Sequence, residues 1–177
     1  VFSCGETEFT LLDTPGHIDF AAEAERALWV LDCAVLVISA SDGVQVHTET
    51  LWKMLKRHNV PVFIFVNKMD LPDTDTEKIM KELTEKLDGG CLNFNSDITS
   101  ESFADAAAMC DEELMDEFLT TGSISQKSLA AAISRRSIFP CFFGSALRLD
   151  GVDALLDALD RRTVQPEPQA DFGARVF

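Results

Sequence analysis

Nowhere in the 177 residues do 18 apolar ones run together, so no membrane-spanning helix is expected. Basic residues are scarce, 15 against 30 acidic ones, and the formal charge of −15 excludes a broad, sequence-independent grip on DNA or RNA. A local RNA contact stays open. The five cysteines, Cys4, Cys33, Cys91, Cys110 and Cys141, are odd in number, scattered and nowhere spaced Cys-x-x-Cys. They read as reduced thiols, several of them buried, in a cytoplasmic protein, and no zinc site is expected. Val1 stands where a methionine would, without a signal-peptide pattern, so further residues are expected upstream.

What is present is a chain with 46% apolar residues and regular turn punctuation, long enough for a real core. Val1 to Cys4 and Thr7 to Leu12 are β-prone runs around Gly5-Glu6, predicting a hairpin whose second strand feeds Asp13. Ala21, Ala24, Leu28 and Leu31 recur at helical spacing from a helix opening near Ile18. Cys33 to Ala40 and Val62 to Val66 are continuously apolar, as parallel strands covered on both faces are. Between them Thr48 to Arg57 predicts a helix with Leu51, Met54 and Leu55 inward. Thr74-Asp75-Thr76-Glu77 has capping-box form before a helix burying Ile79, Leu83 and Leu87, with Glu77/Lys81 and Glu82/Lys86 as i,i+4 pairs.

From about Cys91 the alternation breaks into a loop and one or two acidic helices, expected as a helical insertion over about 91–124. The run from Asp111 to Glu117 is either a solvated face or a docking surface for a basic partner. Ser125 predicts a cap for a helix reaching Arg136, Ile138 to Phe143 a third buried strand, and Val152 to Leu159 a last amphipathic helix. Pro166-Glu167-Pro168 marks a linker over 164–171, and residues 172–177 read as the start of a following β domain.

Three apolar strands thus end in polar clusters, Asp13-Thr-Pro-Gly16-His17, Asn67-Lys68-Met69-Asp70 and Gly144-Ser145-Ala146-Leu147. Ligands of open parallel sheets bind at the carboxyl ends of the strands, so these clusters face a crevice. There Asp13 can hold a metal through water, Gly16 can bring its N–H close to a phosphate, and His17 can orient a water. A carboxylate at Asp70 can accept hydrogen bonds from two adjacent N–H donors of a ligand there. His47 and His58 have no comparable setting and read as solvated helix residues.

With these motifs in this order the sequence resembles the GTPase superfamily: Asp-x-x-Gly, Asn-Lys-x-Asp and Ser-Ala-x are all present. The resemblance implies a P-loop NTPase-type, Ras-like α/β fold, a mostly parallel sheet flanked by helices, occupying 1–163. It implies GTP or GDP with Mg²⁺ as ligands and Asp13 as the metal's holder. Gly16 would sense the terminal phosphate, Asn67 brace the loop, and the Lys68 stem lie along the base. Ser145, Ala146 and Leu147 would support the base from the other side. Asp-x-Pro-Gly-His is similar to translational GTPases, in which the histidine orients the attacking water when the ribosome docks, making His17 the catalytic residue and ribosomal RNA its neighbour. Leu12 to Asp42 and Phe139 to Leu159 look like the G domain of elongation factor G. The acidic helices and the Phe139-to-Leu147 run look like tetracycline-resistance ribosomal protection proteins.

One family part is missing. No Gly-x-x-x-x-Gly-Lys-[Ser/Thr] occurs, and none of the nine glycines precedes a lysine. The fold is therefore expected to be N-terminally truncated, the chain to bind GTP weakly and to hydrolyse it negligibly, and the sheet to carry an open edge prone to self-association. A non-catalytic module of the same fold and a non-ribosomal GTPase are the rival readings.

Overall fold

A computed structural model describes residues 1–5, 7–14 and 27–163. In chain order the elements are β1 (Phe2–Cys4), β2 (Thr7–Phe9), β3 (Ala34–Ser39), α1 (Val46–Arg57), β4 (Val62–Asn67), α2 (Thr76–Lys86) and β5 (Cys91–Asn93). There follow α3 (Glu101–Ala108), α4 (Glu112–Thr121), α5 (Gln126–Ser134), β6 (Phe139–Phe143) and α6 (Val152–Arg162). Gly16, His17 and residues 18–26 of the helix expected from Ile18 lie outside the described residues, as do the expected linker and following strand, while Leu28 and Leu31 from the end of that helix pack against the core.

Four strands lie side by side in the order β3-β4-β6-β5, all parallel. Strand β4 shows why the sheet sits at the centre. Val62, Ile64 and Val66 point to one face with Trp52, Leu55, Ile79 and Leu83 from α1 and α2. Phe63 and Phe65 point to the other, among Phe142, Leu114, Ile133, Leu155 and Leu159. Every β4 residue from Val62 to Val66 is buried, and each such side chain contributes roughly 1.5–3 kcal/mol by leaving water. Two helical layers therefore clamp the strand whose end carries Asn67.

Local chemistry sets the helix starts. Asp75, not Thr74, caps α2, its carboxylate accepting from the Glu77 and Lys78 amides. The Thr74 hydroxyl instead donates to the Met69 and Leu71 carbonyls, at 3.0 and 3.1 Å, and so braces the turn after Asp70. Ser125 caps α5 as expected. On α2, Lys86 pairs with Glu82 at 2.6 Å as expected, while Lys81 reaches forward to Glu85 at 3.8 Å. Asp111 caps α4 and is gripped by Arg135, which also pairs with Glu113, so part of the acidic run is neutralised within the fold.

Three expectations change. Residues 91–93 form an edge strand of the sheet, so the alternation continues three residues into the span expected as an insertion. Strand β3 is covered on one face only: Leu36 and Ile38 are buried, but Val35 and Val37 are 38% and 60% exposed. The strand expected over Thr7 to Leu12 stops at Phe9, pairing only with β1, where the Phe2 and Phe9 rings stack at 5.4 Å. The reason is common to the last two. A cavity of about 740 Å³ lies along the outer side of β3, walled by Leu11, Leu12, Val35, Val37, Leu51 and the leucines of α6. Across it, residues 10–14 have no ladder partner among the described residues.

Candidate functional site

The carboxyl ends of β4 and β6 are tied into one frame. The Gly144 amide donates to the Val66 carbonyl at 3.0 Å, and the Met69 amide donates back to the Gly144 carbonyl at 3.0 Å. Between them Asn67 Oδ1 accepts two amides, from Lys68 and from Ala146, each at 2.8 Å. The Ala40 amide donates to the Asn67 carbonyl at 2.8 Å and so brings the end of β3 to the same place. A single side-chain oxygen thus spaces the loop after β4 from the loop after β6.

That spacing demands particular residues. A β-carbon at Gly144 would collide with the Asp150 carbonyl and press on the Phe65 ring, so only glycine lets the two loops close. Lys68 sits at φ +66°, a left-handed conformation costing a non-glycine residue roughly 1–2 kcal/mol. It persists because the Lys68 amide must face Asn67 Oδ1. The consequence is an exposed lysine stem beside the loop that carries Asp70.

After β6 the chain closes on itself, the Ser145 and Asp150 backbones exchanging hydrogen bonds at 3.0 Å each way. Ser145 is buried and its hydroxyl sealed from solvent, whereas Ala146 is exposed and Leu147 projects at 90% exposure. Asp70 is 16% exposed and meets the Arg148 guanidinium, Nε to Oδ2 at 3.5 Å. The carboxyl is held below the ordinary aspartate range, first by the adjacent Ser145 hydroxyl, against a smaller opposing desolvation, and then by its own amide and Arg148. The Ser145 hydroxyl meets no strict hydrogen-bond geometry, so its effect on Asp70 is that of a nearby dipole. An ionised, shielded acceptor between two locked loops suits a planar ligand offering two adjacent N–H donors.

Of the residues expected to bind a nucleotide, Asn67, Lys68, Asp70, Ser145 and Ala146 therefore come together, with Leu147 at the rim. Asp13 is exposed and lines the cavity along β3 instead, with Thr14 and His47. Among the described residues no group of three or more His, Cys, Asp or Glu side chains is placed to hold a metal ion. A lone Asp13 makes no metal site by itself.

Three contributors escaped the sequence reading. Arg148 pairs with Asp70, as above. Asn95 receives the Phe143 amide at 2.8 Å and donates to the Phe143 carbonyl at 3.1 Å, squaring the end of β6 from its outer side. Thr74 braces the turn after Asp70. Only Arg148 carried a signal, being a lone cation three residues beyond Ser145. Neither helix histidine is solvated as expected: the His47 ring nitrogens are shielded, and His58 meets the Trp29 ring edge-on at 5.0 Å.

A family model described as Elongation factor Tu GTP binding domain matches residues 2–165. Tetracycline resistance protein TetW of Butyrivibrio fibrisolvens is 34% identical over 172 residues, covering 89% of this chain and 27% of its own. The mitochondrial Ribosome-releasing factor 2 of Drosophila melanogaster is 30% identical over 231 residues, covering 99% of this chain and 31% of its own. The chain thus spans under a third of the length of these relatives. A crystal structure of a Thermus thermophilus protein superposes with a TM-score of 0.72 at 23% identity, over 86% of this chain and 29% of that one, a likeness of fold.

Proposed function

This chain belongs to the Elongation factor Tu GTP binding domain family, and we propose that it is the nucleotide unit of a ribosome-dependent GTPase in which Asp70 selects guanine. It is a GTP-binding domain of the translational type, related to TetW and to ribosome-releasing factor 2. The observation that carries the proposal is the Asn67 oxygen bridging the Lys68 and Ala146 amides at 2.8 Å each. That bridge ties the loop that carries Asp70 to the loop that carries Ser145.

In this reading the two Asp70 oxygens take the N1–H and the exocyclic amine of guanine. The Lys68 stem lies along one face of the base, and Ser145, Ala146 and Leu147 shape the other. Adenine would set an acceptor nitrogen against an ionised carboxylate and leave it unpaired, which is how a buried polar group rejects a near-isostere. Asp13, Gly16 and His17 serve the phosphate end. Because one carboxylate does not hold a divalent ion alone, Asp13 would hold Mg²⁺ only together with the oxygens of a bound nucleotide, where the ion would offset phosphate charge. His17 orients the attacking water once ribosomal RNA is beside it. With −15 net charge, docking on RNA rests on a few local contacts.

In this reading the domain occupies 1–163, with its helical insertion within 91–124. Among the rival parents, the acidic helices favour the ribosomal-protection type, while the similarity to TetW and to ribosome-releasing factor 2 is of the same order and separates neither. Its compartment is the cytoplasm, and a mitochondrial relative makes that organelle the competitor.

Calorimetric titration of this chain with GDP and ADP, each with Mg²⁺, tests the reading. GDP binds weakly, because no phosphate loop is present in the 177 residues, and ADP binds more weakly still. Equal heats for the two nucleotides would overturn guanine selection, and tight GDP binding would show that the phosphate loop matters less than supposed.

A further inference from the structure

We propose that Arg148 is a tethered competitor for the base site, a guanidinium that occupies the Asp70 carboxylate and that guanine must displace. The proposal rests on the reading of Asp70 as the base-selecting group.

The chemistry of the two partners is the same. The selecting edge of guanine is N1–H beside an amino group on C2, which is a guanidine built into a ring. An arginine side chain presents the same planar pair of adjacent N–H donors, which is why it matches a carboxylate fork to fork. Asp70 has two oxygens, and guanine uses both. Arg148 Nε stands 3.5 Å from Oδ2, so a base that takes both oxygens has to displace the guanidinium from that one.

The loop is built to hold that cation in reach. Ser145 and Asp150 close the turn with two backbone hydrogen bonds, and the Arg148 amide donates to the Ser145 carbonyl at 3.1 Å. Leu149 follows at φ +60°, a left-handed residue that turns the chain back toward Asp150. Arg148 is thereby fixed at the tip of the same loop that supplies Ser145 and Ala146. Competition and support come from one turn.

The geometry also bounds the strength. The contact is made through one nitrogen, it is long for a charge-assisted hydrogen bond, and the arginine side chain is 64% exposed. An exposed pair of this kind shifts an equilibrium by about two- to fivefold, enough to set a threshold for binding without closing the site. Lys68, the other cation at the rim, cannot play the part, since an ammonium lacks the planar fork.

The test uses guanosine, which is neutral and engages the base end alone, titrated into this chain and followed by backbone amide shifts. Arg148→Ala and Arg148→Gln are expected to bind guanosine two- to fivefold more tightly than the wild type. Raising salt from about 0.05 to about 0.5 M screens the ion pair, so wild-type binding should strengthen while both variants stay flat. Weaker or unchanged binding by both variants, or a wild-type affinity indifferent to salt, would overturn the competitor. Asp70→Asn separates the two levels. If that variant loses guanosine while the Arg148 variants behave as the wild type, only the competitor fails; if it binds guanosine as before, the base-site reading fails.

Discussion

The carboxyl ends of β4 and β6 and the outer side of β3 belong to one sheet, yet they are finished to different degrees. At the first, each backbone donor that turns out of a strand meets a partner: Gly144 meets Val66, Met69 meets Gly144, and Ala146 and Lys68 meet Asn67. At the second, Val35 and Val37 stand exposed beside a cavity of about 740 Å³, and Asp13 lies in its wall. A ligand that needs only its base recognised finds the first region ready. One that needs its phosphates neutralised does not find the second so. The proposed base end and the proposed phosphate end are therefore finished to different degrees, and substitutions at the two regions should have unlike effects.

The largest effect is expected at Asp70. Asp70→Asn replaces one acceptor oxygen by an amide donor that faces the exocyclic amine of guanine, whereas xanthine carries a carbonyl in place of that amine and keeps the N1–H for the remaining oxygen. Preference between guanosine and xanthosine diphosphates should invert, by about a hundredfold or more, in parallel calorimetric titrations. Retained guanine preference would mean that another residue reads the base. Next comes the brace. Asn67→Ala removes the acceptor shared by two amides and should cost about 1–2 kcal/mol, seen as a melting temperature lower by about 3–6 °C. Asn67→Asp, which keeps an acceptor oxygen, should recover most of the loss. Equal losses in the two variants would show that the frame does not depend on that oxygen.

The smallest effect concerns the open side of β3. An exposed apolar strand edge invites pairing with another copy, and a single charge there discourages it. Size-exclusion chromatography should show concentration-dependent association of the wild type and a smaller dependence for Val37→Lys. A clean wild-type monomer at high concentration would mean that the cavity does not leave β3 available for pairing.

The difference between the regions also explains what could be read from residues alone. Strands β4 and β6 are short apolar runs ended by polar clusters, and both the strand and its terminal loop are coded within about ten residues. The two terminal loops were legible because local sequence carried each of them, but the hydrogen bond from the Ala146 amide to Asn67 that joins them was found only in the structure. Burial of β3 did not follow, since a strand reads as covered whether or not something lies beside it; Val35 and Val37 look in sequence like Leu36 and Ile38. Strand β5 was hidden because three residues are too few to show a period. Arg148 and Asn95 escaped for a third reason: each acts across the fold, on Asp70 and on Phe143, and although Arg148 stands out as a lone cation after Ser145, no local pattern names either residue's distant partner. Thr74 and Asp75 exchanged their expected roles because both can cap a helix, and the choice fell to which hydroxyl or carboxylate the preceding turn required.

The most direct measurement compares guanosine, inosine and adenosine as ligands of this chain by backbone amide shifts. These three differ in the donors offered to Asp70: two, one and none at the corresponding edge. Affinity should fall in that order, with the perturbed amides confined to residues 67–71 and 144–149. Adenosine binding as well as guanosine, or shifts centred on residues 34–38 and 11–14, would contradict the account.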